Sequence, residues 1–138
     1  MKRYFKNRVL FGGVVLFVLI NIANYVIHQV LLGADYASQD KLWRTGPEIA
    51  DKMWIFQVIF LVQAYFLSFL FSRGYEGTGW VEGLRYGVIM GIFLKIPEAY
   101  SQFVVLPISY SLALKTFAYG MIEMVILGCV LGFIYQKK

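Results

Sequence analysis

Four long apolar stretches constrain the fold of this chain more than any other feature. They cover residues 9–32, 53–71, 84–106 and 112–135, and each is close to the ~20 residues with which an α-helix crosses ~30 Å of hydrocarbon. A membrane strand would alternate polar and apolar residues, whereas these stretches are continuous. Backbone polar groups in lipid must be satisfied internally. The sequence therefore predicts an all-α, antiparallel four-helix membrane bundle in one transmembrane domain, with helices at about 9–32, 53–72, 82–106 and 111–135.

The composition agrees with a lipid environment. Of 138 residues, 59% are hydrophobic and 15% are charged, whereas soluble domains average about 25% charged residues. The first apolar stretch follows a basic start but is too long for a signal peptide, so we predict a retained helix. The single cysteine, Cys129, lies in the fourth stretch and excludes an intrachain disulfide.

The distribution of basic residues predicts the orientation of the bundle. Eight lie beside the termini or the turn between helices 2 and 3: Lys2, Arg3, Lys6, Arg8, Arg73, Arg85, Lys137 and Lys138. Four lie on the other side: Lys41, Arg44, Lys52 and Lys115. By the positive-inside rule both termini are cytoplasmic. The net charge of +5 is then explained by orientation and anionic lipid headgroups, and it indicates no nucleic-acid partner.

The first connection, residues 33–52, is much longer than the other two. It is mixed in charge and contains Leu42, Trp43 and Arg44. We predict a short interfacial helix on the outer surface, with Leu42 and Trp43 in the headgroup layer. The short connections between helices 2 and 3 and between helices 3 and 4 predict antiparallel neighbours.

Glycines recur every four residues in the last two helices. They are Gly83, Gly87 and Gly91 in helix 3 and Gly128 and Gly132 in helix 4. Such spacing makes a smooth strip on which another helix can approach closely. The strip predicts helix packing, either within the chain, which we favour, or between two copies in a dimer.

Three ionisable residues lie deep inside the last two helices. Lys95 and Glu123 are at similar depth, so we predict an ion pair between them. Glu98 lies about one turn nearer the outer side, next to Pro97, which should kink the helix. We expect Lys95, Glu98 and Gln102 to share the glycine face and to point into the bundle, because a charge in hydrocarbon is costly unless paired or hydrated.

Helix 1 carries a second polar group on one predicted face. Its members are Asn21, Asn24, Tyr25 and His28, at offsets of three and four residues. With Gln57 of helix 2, His28 and Glu98 are predicted to form an outer polar layer. Gln63, near mid-depth, could join either Asn24 or the ion pair. The functional interpretation of these polar residues is a proton or ion relay, or a pocket for a polar headgroup or small solute. The structural interpretation is a hydrogen-bonded network that fixes helix register.

No residue pattern supports catalysis or metal binding. The sequence lacks a phosphate loop, nucleophile elbow, zinc-protease helix and dinucleotide fingerprint. One histidine per chain could ligate haem on both sides only in a symmetric dimer. We assign no catalytic residue, no metal ligand and no cofactor.

Much of the chain also follows the pattern of a known group of proteins. The residues are His28-Gln-Val-Leu-Leu32, Tyr36, Leu42-Trp43-Arg44, Glu48, Gly74-Tyr-Glu-Gly-Thr-Gly79, Glu82-Gly-Leu-Arg-Tyr-Gly87, Met90-Gly91, Pro97, Pro107-Ile108, Glu123, Gly128, Gly132 and Tyr135. By these the chain resembles small bacterial four-helix inner-membrane proteins of unknown function. The resemblance implies a bacterial inner membrane and no particular activity. In that group the position of Lys95 is usually apolar or small.

Three functions are consistent with the sequence. An accessory or assembly subunit of a larger membrane complex is favoured by the small size and abundant aromatic residues. An oligomeric small-solute or proton transporter is favoured by the buried charges, and lipid or quinone binding by Trp43 and His28. The expected partners are the lipid bilayer and either another membrane protein or further copies of the chain.

Overall fold

The computed structural model describes residues 2–136, and it describes side chains from Lys6 onward. The elements are α1 (Lys2–Tyr25), a π-helix that continues it (Val26–Leu31), α2 (Gly33–Ala37), a 3-10 turn (Asp40–Leu42), α3 (Gly46–Ala50), α4 (Met53–Gly74), α5 (Trp80–Val105) and α6 (Tyr110–Tyr135). Four helices are long and apolar enough to cross a membrane. This confirms the predicted all-α fold with four long apolar helices. Of the basic residues that predict orientation, Lys137 and Lys138 lie outside the described residues.

The long helices form two antiparallel pairs, α1 with α4 and α5 with α6, and α6 contacts α1 and, less extensively, α4. We call the end that carries both chain termini the terminal end, and the end that carries residues 33–52 the long-loop end. At the terminal end Arg8 donates a hydrogen bond of 2.6 Å to the carbonyl oxygen of Tyr135. This bond ties the first and last helices together.

The main core lies where α1, α4 and α6 meet. Its buried members are Leu16, Ile20, Phe60, Ala64, Leu67, Phe71, Met124, Leu127, Leu131 and Tyr135. The small residues Ala64 and Ser68 of α4 are buried there, and the Ser68 hydroxyl donates to the carbonyl oxygen of Val9 over 3.0 Å. α4 therefore uses its small residues to approach α1.

The predicted glycine strip lies inside the α5–α6 pair. A Cβ on Gly83 would overlap the carbonyl oxygen of Gly128, and one on Gly132 would lie 2.6 Å from the Cα of Trp80. The two backbones are in direct contact along this face. The glycines thus serve packing within the chain, and the alternative of a dimerisation face is wrong because their surface is already covered.

The long connection corrects the prediction of one interfacial helix. It forms three short turns, α2, the 3-10 turn and α3. Lys115 of α6 binds Asp35 at 3.0 Å, and Gln39 accepts a hydrogen bond of 2.9 Å from the backbone N–H of Ser109. Leu42 and Trp43 pack on the cluster of buried apolar residues at the long-loop end. Their position relative to lipid headgroups stays a prediction. Arg44 is exposed.

Candidate functional site

A groove lies between α4 and α5 on the surface of the bundle. It is an open depression with a volume of about 550 Å³. It is lined by Val58, Ile59, Val62, Gln63, Phe66, Leu67, Leu70, Met90, Phe93, Leu94 and Glu98. The lining is apolar except for Gln63 and Glu98. On α4 the lining residues recur at helical spacing from 58 to 70, which at 1.5 Å per residue makes the groove roughly 18 Å long.

Tyr86 of α5 bridges α4 and α5 beside the groove, toward the terminal end. Its hydroxyl donates to the carbonyl oxygen of Leu67 over 2.8 Å. Its ring packs edge-on against Phe71 with centroids 5.2 Å apart. Although only residues 75–79 connect them, α4 and α5 are not among the helix pairs that pack extensively on each other.

An ion cluster lies between α5, α6 and the groove. Lys95 Nζ is 2.9 Å from Glu98 Oε2 and 3.4 Å from Glu123 Oε2. The structure thus brings Lys95 and Glu123 together, at the middle of the α5–α6 interface. The Lys95 and Glu123 side chains are only 11% and 8% exposed, whereas Glu98 is 42% exposed.

Sequence reasoning missed the residue that makes room for this pair. A Cβ on Gly120 would lie 2.7 Å from Cδ of Lys95, so the lysine stem crosses α6 where that helix has no side chain. Gly120 lies three residues before Glu123, on the same helical face. That three-residue spacing is the sequence feature from which a role of Gly120 beside the ion pair could have been predicted.

Glu98 and Gln102 do not point into the bundle as predicted. Both residues are exposed, whereas Lys95 is half-buried. A step of three residues turns a helix by about 300°, which moves Glu98 about 60° away from Lys95. That rotation is enough to carry the carboxylate from the α6 interface to the rim of the groove.

The outer polar layer is also different from the prediction. Gln57 donates a hydrogen bond of 2.9 Å to Asn21 Oδ1 on the exposed side of the α1–α4 pair. His28 Nδ1 instead lies 2.7 Å from the hydroxyl of Tyr36. Glu98 interacts with His28 electrostatically. The predicted layer of His28, Gln57 and Glu98 is therefore wrong for Gln57, which binds Asn21 instead.

Other polar residues of α1 and α4 remain outside these networks. Asn24 is half-buried and joins no hydrogen bond among the described residues, and Tyr25 is 64% exposed. Gln63 is half-buried and lines the groove, so it reaches neither Asn24 nor the ion pair. The π-helix begins one residue after Tyr25. Its wider turn changes the helical phase after Tyr25, which is why a 3.6-residue period misplaces His28.

Comparison of the chain with protein-family models, curated proteins and solved structures found no match. The resemblance to small bacterial inner-membrane proteins therefore stays a prediction.

Tyr36 and Thr116 were not foreseen from the sequence. Tyr36 lies between His28 and Thr116, and Trp43 packs edge-on against its ring at 5.1 Å. Burial, followed by the nearby Glu98 carboxylate, raises the pKa of Tyr36 to about 12. The phenol therefore stays protonated at neutral pH and serves as a hydrogen-bonding group beside His28.

The groove and the ion cluster together form one candidate site. The groove offers an apolar surface that contains one partly exposed carboxylate and one amide. Among the described residues no group of three His, Cys, Asp or Glu side chains could hold a metal ion. The arrangement is suited to binding an apolar body that carries a polar or cationic group.

Proposed function

We propose that this protein is an accessory or assembly subunit of a larger membrane complex, in a bacterial inner membrane with both termini cytoplasmic. The observation that carries the proposal is the groove, where two consecutive helices leave their facing apolar surfaces without a helix between them. The partner would place one transmembrane helix in this groove.

The shape of the groove supports a helical partner. Val58, Val62 and Phe66 follow one another at four-residue spacing on α4, and Met90 and Leu94 do so on α5. Such rows are the ridges against which a further helix packs. Helices associate in lipid through close packing and interhelical hydrogen bonds, so a matching helix gains contacts that loosely ordered lipid chains do not supply.

Site-specific crosslinking in native membranes tests the proposal. A photoreactive residue at Val62 lies in the groove, whereas one at Ile122 of α6, which is 57% exposed, is a matched control on the lipid-facing surface. We expect Val62 to give a discrete adduct with another membrane protein and Ile122 to give none. Gentle extraction should then recover that partner in fixed stoichiometry. A monomer without adducts at either position would contradict the proposal.

Lipid or quinone binding is a second candidate, because the groove volume of about 550 Å³ lies in the range of small-molecule sites. Mass spectrometry of the extracted protein would then find one small molecule, and Val62→Trp would remove it. Transport by an oligomer is the further alternative from the sequence. It requires proton or solute flux in reconstituted vesicles that Glu98→Gln abolishes.

A further inference from the structure

We propose that the helix bound in the α4–α5 groove carries a lysine or arginine that pairs with Glu98. This inference rests on the proposed function, and it states the chemistry of the partner. The supporting observations are the charge of the ion cluster, the depth of Glu98 and the free acceptor on its carboxylate.

The ion cluster has an excess negative charge. With all three groups ionised and the nearby His28 neutral, one Lys95 faces two carboxylates, Glu98 and Glu123. Glu123, the more buried of the two, lies inside the α5–α6 interface, where no partner has access. The excess charge is therefore accessible only at Glu98, whose side chain is 42% exposed toward the groove.

The depth of Glu98 favours a protein cation over a lipid headgroup. Glu98 lies 18 residues after Trp80 in a helix of 26 residues, which at 1.5 Å per residue is roughly 8 Å from the middle of α5. The hydrocarbon layer extends ~15 Å from its midplane. Headgroups thus lie farther from the midplane than Glu98 does. A long basic side chain on a transmembrane helix, by contrast, can reach the depth of Glu98.

The carboxylate retains an acceptor for such a donor. Lys95 contacts Oε2, and Oε1 of Glu98 has no partner within residues 6–136. Just before it, Pro97 has no N–H and gives no helical hydrogen bond to the carbonyl oxygen of Phe93, which also lines the groove. This end of the groove thus presents an accessible carboxylate oxygen of Glu98, to which a lysine or arginine would donate.

Synthetic transmembrane peptides in vesicles of neutral phosphatidylcholine test the inference. The peptides are Leu/Ala helices that differ at a single position, at the depth of Glu98, which holds Lys, Leu or Glu. Energy transfer from a fluorophore on the full-length protein to one on the peptide measures binding. We expect the Lys peptide to bind about tenfold more tightly than the Leu peptide, and Glu98→Gln to remove that preference. Glu98→Lys should favour the Glu peptide instead.

Two control variants assign the binding to the groove. Val62→Trp fills it and should abolish binding of the Lys peptide, whereas Ile122→Trp on the lipid-facing surface of α6 should not. Equal binding of the Lys and Leu peptides would overturn the inference but leave the proposed function intact. Failure of all three peptides to bind would also overturn the inference. In that case the crosslinking experiment at Val62 in native membranes still tests the proposed function independently. Groove-dependent energy transfer between two protein copies, with no peptide bound, would identify a second copy as the occupant and overturn the inference.

Discussion

The α5–α6 and α4–α5 connections are alike in length, yet the helices that they join behave differently. Residues 75–79 join α4 to α5, and residues 106–109 join α5 to α6. α5 and α6 are in backbone contact over residues 79–87 and 124–132, whereas α4 and α5 are bridged by Tyr86 and pack little on each other elsewhere. A short loop therefore fixes only one end of a helix pair.

Small residues account for the difference. α5 and α6 both present glycine to the same interface, so neither backbone is held away by side chains. On α4 the small residues Ala64 and Ser68 are buried in the core that α4 forms with α1 and α6. Val62 and Phe66 remain toward α5. The branched and aromatic side chains keep α4 and α5 apart, and this separation creates the groove.

Breaking the ion cluster in the packed interface should have the largest effect. Lys95→Met leaves Glu123 uncompensated at 8% exposure, and removal of one partner of a buried ion pair costs about 3–5 kcal/mol. Unfolding in mixed micelles measures the loss. The double variant Lys95→Met/Glu123→Gln should recover part of it, because no buried carboxylate is left. Additive losses in the double variant would contradict the pairing.

Adding one methyl group to the glycine strip should have the next largest effect. A Cβ on Gly128 would overlap the backbone of Gly83, and such overpacking costs about 1–3 kcal/mol. Gly13→Ala is the matched control in α1, because its Cβ would lie 3.5 Å from the nearest atom of Tyr65, an ordinary contact. Gly128→Ala should lower the free energy of unfolding well below that of Gly13→Ala. Equal values would mean that the α5–α6 contact is looser than described.

Weakening the Tyr86 bridge between α4 and α5 should have a smaller effect. Tyr86→Phe removes the hydrogen bond to Leu67 but keeps the ring against Phe71, and interhelical hydrogen bonds in membranes average about 0.6 kcal/mol. Spin labels on α4 and α5 near the long-loop end should show a broader distance distribution in this variant. An unchanged distribution would show that ring packing alone holds the bridge.

Neutralising the groove carboxylate should have the smallest effect on stability. Glu98 is 42% exposed and Lys95 keeps Glu123 as a partner, so Glu98→Gln should change the free energy of unfolding by less than about 1 kcal/mol. Unfolding in the same micelles measures the change. A loss comparable to that of Lys95→Met would place Glu98 in the packed interface and remove the contrast between the two regions.

Much of the fold and part of the site could be predicted from the sequence. The apolar stretches predict the four long helices, the glycine spacing predicts a close helix contact, and matched depths predict the pairing of Lys95 with Glu123. Gln57 pairs with Asn21 and not with His28, which lies in the π-helix at the end of α1, and the neighbours of Trp43 depend on the folding of residues 33–52. Neither feature has a periodic signal.

The sequence by itself determined which segments are helical and apolar enough to enter lipid, because length and hydropathy are local properties of the chain. Only the tertiary structure decided which faces meet. In lipid, one apolar face is as well solvated as another, so hydropathy cannot indicate partners and the choice depends on side-chain shape and polar pairing. For that reason the groove beside Glu98 could be identified only from the structure, in which α4 packs against α1 and not along α5.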